Sequence, residues 1–189
     1  MTTLAPTLTT RYFPRTAAWL CDLALILSGV FFVAALSQVR LPLPFTPVPI
    51  TGQTLGVLLV GAALGSRRGL ASLGLYLLLG AVGLPFFAGG QHGLAYLTGP
   101  TLGYLLGFVI SAWVIGRLAE RGLERSLRTS LLPFLAGTMI IYIFGAGWLS
   151  FTMGLQKAIL LGVFPFLIGD VVKIILAGLM LPAVWKLAN

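Results

Sequence analysis

Six long apolar runs dominate the chain, at about 16–38, 52–66, 70–84, 101–118, 131–148 and 166–185, and the stretches between them are either basic or rich in proline and glycine. The last run is the most informative. At about 1.5 Å of rise per residue its roughly twenty positions cover about 30 Å, the thickness of a bilayer's hydrocarbon core. Asp170 and Lys173 interrupt it three residues apart and so share one helical face. An unpaired charge at that depth costs several kcal/mol. The two side chains therefore either satisfy each other as a packing pair or meet a polar ligand together, and the spacing fits both. Pro165 suits the first turn of this helix, and Pro182 suits a kink.

The pattern predicts an all-α membrane protein of six transmembrane helices. Residues 1–15, polar and threonine-rich, form a poorly ordered N-terminal segment, and 16–189 form one membrane domain. The first run is too long for a signal-peptide core and has no small-residue cleavage site after it, so it is kept as a span. Asp22 near its start suits a helix N-terminus, a structural role. Ala24 and Ser28 have the spacing of a close helix contact. Residues 39–51 hold four prolines and read as a stiff extended loop. The second and third runs, joined at Ser66-Arg67-Arg68-Gly69, read as a helical hairpin with GxxxG spacing at Gly52/Gly56 and Gly61/Gly65. Residues 85–100 are too glycine-rich for a helix and form a second structured loop. Gly99, Gly103 and Gly107 make a stripe that lets another backbone approach. The charged stretch Glu120, Arg121, Glu124, Arg125 and Arg128 suits a solvated helical extension. Pro133 falls in the first turn of the fifth span, and a short amphipathic piece links that span to the sixth.

Composition agrees with the pattern: 58% of the 189 residues are hydrophobic and 8% charged, too little charge for a soluble domain. The net charge of +8 comes from residues flanking the apolar runs, which argues for membrane topology and against a nucleic-acid partner. Arg11, Arg15, Arg67, Arg68, Arg117, Arg121, Arg125, Arg128 and Lys186 fall on the side of the termini, whereas Arg40 and Lys157 fall on the other. By the positive-inside rule both termini are cytoplasmic, and the two structured loops face outward above Asp170 and Lys173. The single cysteine, Cys21, excludes an internal disulfide. No HExxH, GxSxG or GxxxxGK[ST] motif occurs, and His92 stands alone in a loop, so the chain reads as a non-enzyme without cofactor. If ATP drives transport, the ATPase is another chain.

The stretches LPFTPVPITGQT (43–54), GLPFFAGG (83–90) with GPTLGYLLGF (99–108), and PFLIGDVVK (165–173) together resemble the BioY family, the biotin-specific substrate-binding (S) components of energy-coupling factor (ECF) transporters. The likeness covers nearly all of the chain from the first span onward. It implies biotin capture from outside and uptake within a complex of a transmembrane coupling (T) protein and two ABC-type ATPase subunits. Biotin carries a ureido carbonyl, two N–H donors, an apolar ring and a carboxylate tail. For such a ligand Lys173 can donate to the carbonyl, Asp170 can accept from an N–H, and Gln53 can do both. Phe87 and Tyr142 can cover the rings, and Gly89 and Gly90 can bring backbone N–H groups to the carboxylate. Tyr142 and the two glycines suit packing and turn geometry equally well. An S component for another small vitamin, or a structural membrane protein with an internal ion pair, remain as alternatives.

Overall fold

The computed structural model describes residues 3–188; Met1, Thr2 and Asn189, the outer ends of the expected terminal segment and membrane domain, lie outside the described residues. The helices are α1 (Leu4–Tyr12), α2 (Ala18–Gln38), α3 (Gln53–Leu64), α4 (Ser66–Ala81), α5 (Gly93–Leu97), α6 (Leu102–Ala119), α7 (Leu127–Met153), α8 (Leu155–Gly162) and α9 (Leu167–Ala188). Two short strands, β1 (Arg40–Leu41) and β2 (Ile50–Thr51), pair antiparallel between α2 and α3. The chain is mostly helical, as the apolar runs predict. Among the described residues four helical runs are long and apolar enough to cross a membrane: α2, α6, α7 and the run Leu155–Lys186. The second and third runs form shorter helices, of 12 and 16 residues.

Glycine sets how closely these helices pack. A Cβ on Gly103 would lie 2.2 Å from the Phe144 carbonyl oxygen, and one on Gly107 would lie 3.0 Å from the Ile141 Cα, so α6 and α7 meet nearly backbone to backbone. Gly61 does the same for α3 against Ala112 of α6. On α2 the close contact is not at Ala24 and Ser28, which are both exposed, but one residue on at Gly29, against Ser72 of α4. The choice follows from hydrogen bonding, because the Ser72 hydroxyl needs a nearby acceptor and reaches the Ile26 carbonyl at 3.0 Å.

The basic end of the bundle is more ordered than the sequence suggests. The N-terminal segment is not disordered: α1 packs against α3 and α9 with Leu4 buried. Its threonines do not oppose a helix there, because Thr7 and Thr10 return their hydroxyls to backbone carbonyls one turn back. Asp22 accepts from Arg68 Nη2 at 2.6 Å, the structural role expected of it. The stretch from Glu120 is not a solvated helix either. Helix α6 stops at Ala119, Gly122 turns the chain in the left-handed conformation, and Ser126 caps α7 through the Thr129 N–H. Glu120 instead accepts from the Ser66 N–H and hydroxyl at 2.8 and 2.7 Å, holding the N-terminus of α4. Because α7 starts at Leu127, Pro133 sits inside the helix rather than in its first turn.

Glu124 is fully buried, and neither carboxylate oxygen has a hydrogen-bond partner among the described residues. Burial raises its carboxyl above the ordinary value. A carboxyl that holds its proton more tightly in the folded chain stabilises the fold at low pH, and that contribution is lost as pH rises from about 4.5 through the raised value. Glu124→Gln is therefore expected to melt higher than the wild type at pH 8 and to show a smaller difference between pH 5 and pH 8. Thermal melting of both proteins in detergent checks this; equal pH dependence would mean that burial does not raise the carboxyl.

Candidate functional site

The proline-rich loop, the loop between α4 and α6, and the α7–α9 connection meet at the end of the bundle opposite the basic one. Side-chain bonds to backbone fix them there. Ser37 at the end of α2 donates to the Phe86 carbonyl at 2.6 Å, Thr46 donates to Leu161 at 2.8 Å, and the Trp148 indole donates to Gly99 at 3.0 Å. The second loop contains a helix that its glycine content argued against, the five-residue α5, entered through Gly93 at φ +84°. Gly93 lies at the end of the glycine cluster, and Leu94-Ala95-Tyr96-Leu97 that follows has ordinary helix formers.

Beneath these loops lies a cavity of about 50 Å³, partly open to solvent. Val48, Pro49 and Ala88 from the loops and Tyr96 from α5 bound it on one side, and Tyr104, Leu105 and Phe108 of α6 bound it on another. Tyr104 is set by α7 and the connector. Its ring occupies the space left by Gly145, and its hydroxyl donates to the Gly162 carbonyl at 2.6 Å.

The polar wall is built by three helices. Asp170 lies in the first turn of α9 and is buried, as the helix macrodipole favours. Lys173 Nζ reaches Asp170 Oδ1 at 3.0 Å and the Thr54 hydroxyl of α3 at 2.6 Å. Thr54 in turn donates to Asp170 Oδ1 at 3.3 Å, and Tyr142 of α7 donates to Asp170 Oδ2. Lys173 has three N–H donors and uses two; Asp170 has about four acceptor sites and uses three. Among the described residues that count leaves one donor and one acceptor unused on two side chains that line the cavity, the complement of a group presenting a carbonyl beside an N–H.

Of the residues singled out in the sequence, Asp170, Lys173, Gln53 and Tyr142 line this cavity together. The Gln53 amide is already engaged: it accepts from Thr51 at 2.9 Å and donates to the Tyr76 hydroxyl at 2.6 Å, which donates to Phe86. Phe87 lies behind the wall, fully buried in the notch left by Gly80, and its ring stacks on Tyr96. Gly89 and Gly90 take φ of +70° and +76°, and their N–H groups donate to the Ser37 and Phe87 carbonyls, so they shape the loop rather than line the cavity. His92 is exposed at the loop surface. Thr54 escaped the sequence reading; its signal was a hydroxyl one residue past Gln53, at the start of an otherwise apolar helix.

Crossing-length helices closed around a small cavity with one charged pair in its wall define a membrane protein that holds a polar-ended solute. The chain belongs to the BioY family, which it matches over residues 8–189. It is 39% identical over 168 residues to the biotin transporter BioY of Rhizobium etli, covering 82% of this chain and 89% of that one. Against the biotin transporter BioY of Thermotoga maritima it is 40% identical over 156 residues, covering 82% and 91%. Its fold is similar to the crystal structure at 2.1 Å of the S component for biotin from an ECF-type ABC transporter, with a TM-score of 0.81 at 29% identity over 88% of this chain and 92% of that one.

Because the pair is buried, Asp170→Asn alone and Lys173→Met alone are each expected to destabilise the protein by ~3–5 kcal/mol, since each strands a group built for its partner. Combining them should recover most of the loss. Melting curves for the two single variants and the double variant check this; additive losses would mean that the residues do not act as a pair.

Proposed function

We propose that this protein captures biotin at the outer face of a prokaryotic plasma membrane and delivers it as the S component of an ECF-type transporter. The observation that carries the reading is the polar wall made by Asp170, Lys173, Thr54 and Tyr142 in a chain of this family. Its spare donor and spare acceptor suit the carbonyl and one N–H of a ureido ring, while Tyr104, Phe108 and the proline loop offer apolar surface to the rest of the bicycle. With no nucleotide-binding motif in the chain, ATP hydrolysis falls to partners, a T protein and two ABC-type ATPase subunits. The division into a segment 1–15 on the cytoplasmic side and a membrane domain 16–189, with six helices passing through the bilayer plane and cytoplasmic termini, belongs to the same reading. The charge bias between the two ends of the bundle supports it.

The direct test is a biotin titration of purified protein. Biotin is expected to raise the melting temperature of the wild type. The Asp170→Asn/Lys173→Met double variant, folded by gel filtration, should bind about 10²- to 10⁴-fold more weakly, because two charge-assisted hydrogen bonds of about 1.5–3 kcal/mol each are lost. Near-wild-type affinity in that variant would remove the pair from the site. Orientation is checked separately with cysteines introduced at Thr46, His92 and Ser126. The first two should react with a membrane-impermeant thiol reagent outside intact cells, and the third only after lysis; labelling at Ser126 from outside would reverse the topology.

A further inference from the structure

A ureido ring accounts for only one end of the ligand, and the charges of Asp170 and Lys173 cancel, so an anionic tail finds no net counter-charge in the cavity they line. We propose that Arg40 supplies it, in a second cavity that adjoins the first and takes the ligand's carboxylate; this rests on the biotin reading above.

The second cavity is about 250 Å³ and is lined by Arg40, Pro47, Gln91 and neighbouring residues, with Pro49, Tyr96 and Thr101 shared with the first. Those three residues form a wall common to the two cavities, and Arg40 is exposed at the second. The hairpin aims Arg40 at it. Arg40 on β1 is the register partner of Thr51 on β2, and directly opposed residues of an antiparallel pair project to the same face. Thr51 lines the first cavity, and Arg40 lines the second from the same face.

Three further observations fit a cation held ready for a ligand. Arg40 has no ion-pair or hydrogen-bond partner among the described residues: Asp22, Glu120 and Asp170 are paired with Arg68, Arg117 and Lys173, and Glu124 is buried next to α9 at the opposite end. Its side chain lies along the glycine-rich loop, where a Cβ on Gly89 would come within 2.6 Å of Nη1 and 2.9 Å of Cδ. Gly89 therefore serves the carboxylate indirectly, by making room for the arginine, and its own N–H is committed to Ser37. The planar guanidinium can then meet a carboxylate with two parallel N–H donors, with Gln91 lining the same cavity.

The test compares biotin with biotin methyl ester, which keeps the ring system and removes the charge, on wild type and on Arg40→Met, which keeps the aliphatic stem. Wild type is expected to prefer the acid by about 10- to 100-fold, equivalent to about 1.4–2.8 kcal/mol. Arg40→Met should lose that preference while binding the ester as the wild type does, which also shows that the variant is folded. If Arg40→Met still prefers the acid, or loses acid and ester equally, Arg40 is not the carboxylate site. If the wild type binds neither compound, the biotin reading fails and takes the proposal with it, an outcome distinct from the other two.

Discussion

Asp170 is the group that the rest of the structure must accommodate. A carboxylate buried among apolar helices is tolerated only if its charge is matched and its lone pairs are met, and one helix cannot do that alone. Lys173 comes from the next turn of α9, Thr54 from α3 and Tyr142 from α7. The requirement thus fixes the relative positions of three helices. The close α6–α7 contact at Gly103 and Gly107 lets α7 sit where Tyr142 reaches, while Gly145 admits the Tyr104 ring between them.

The loops above the pair are fastened by a different kind of bond. Almost all of their anchors run from a side chain on a helix or connector to a backbone carbonyl on a loop, or the reverse: Ser37 to Phe86, Thr46 to Leu161, Trp148 to Gly99. The chain of bonds from Thr51 through Gln53 and Tyr76 to Phe86 crosses the bundle from the proline loop to the second loop through buried groups. Anything that moves Thr51 is therefore felt at the backbone of the opposite loop.

The positions of the six long apolar helices, the charged pair and the structural roles of Asp22 and of Gly103 and Gly107 were legible in the sequence because each follows from a local periodicity or spacing. Other features were not. Thr54 is one hydroxyl among many until α3 and α9 are docked. Glu120 and Glu124 look alike beside arginines; only the meeting of α6 with Ser66 makes one a helix cap, and only the docking of α9 buries the other. Phe87, Gly89 and Gly90 carry a family likeness that sequence assigns to the ligand, whereas Gly80, Ser37 and Tyr96 turn them into supports for the wall. The order in α1 was hidden because its threonines argue for a loop until the surface of α3 and α9 is there to receive Leu4.

The shortness of α3 has its own consequence. No residue of this 12-residue helix is exposed, so its length is not tied to the thickness of the surrounding lipid. At about 1.5 Å per residue it rises about 18 Å, roughly 12 Å less than a hydrocarbon core. That missing height is the room in which the cavity and its loops lie, with Gln53 and Thr54 at the step. The helix acts as a depth stop: it ends below the loops, and Gln53 and Thr54 of its first turn line the cavity.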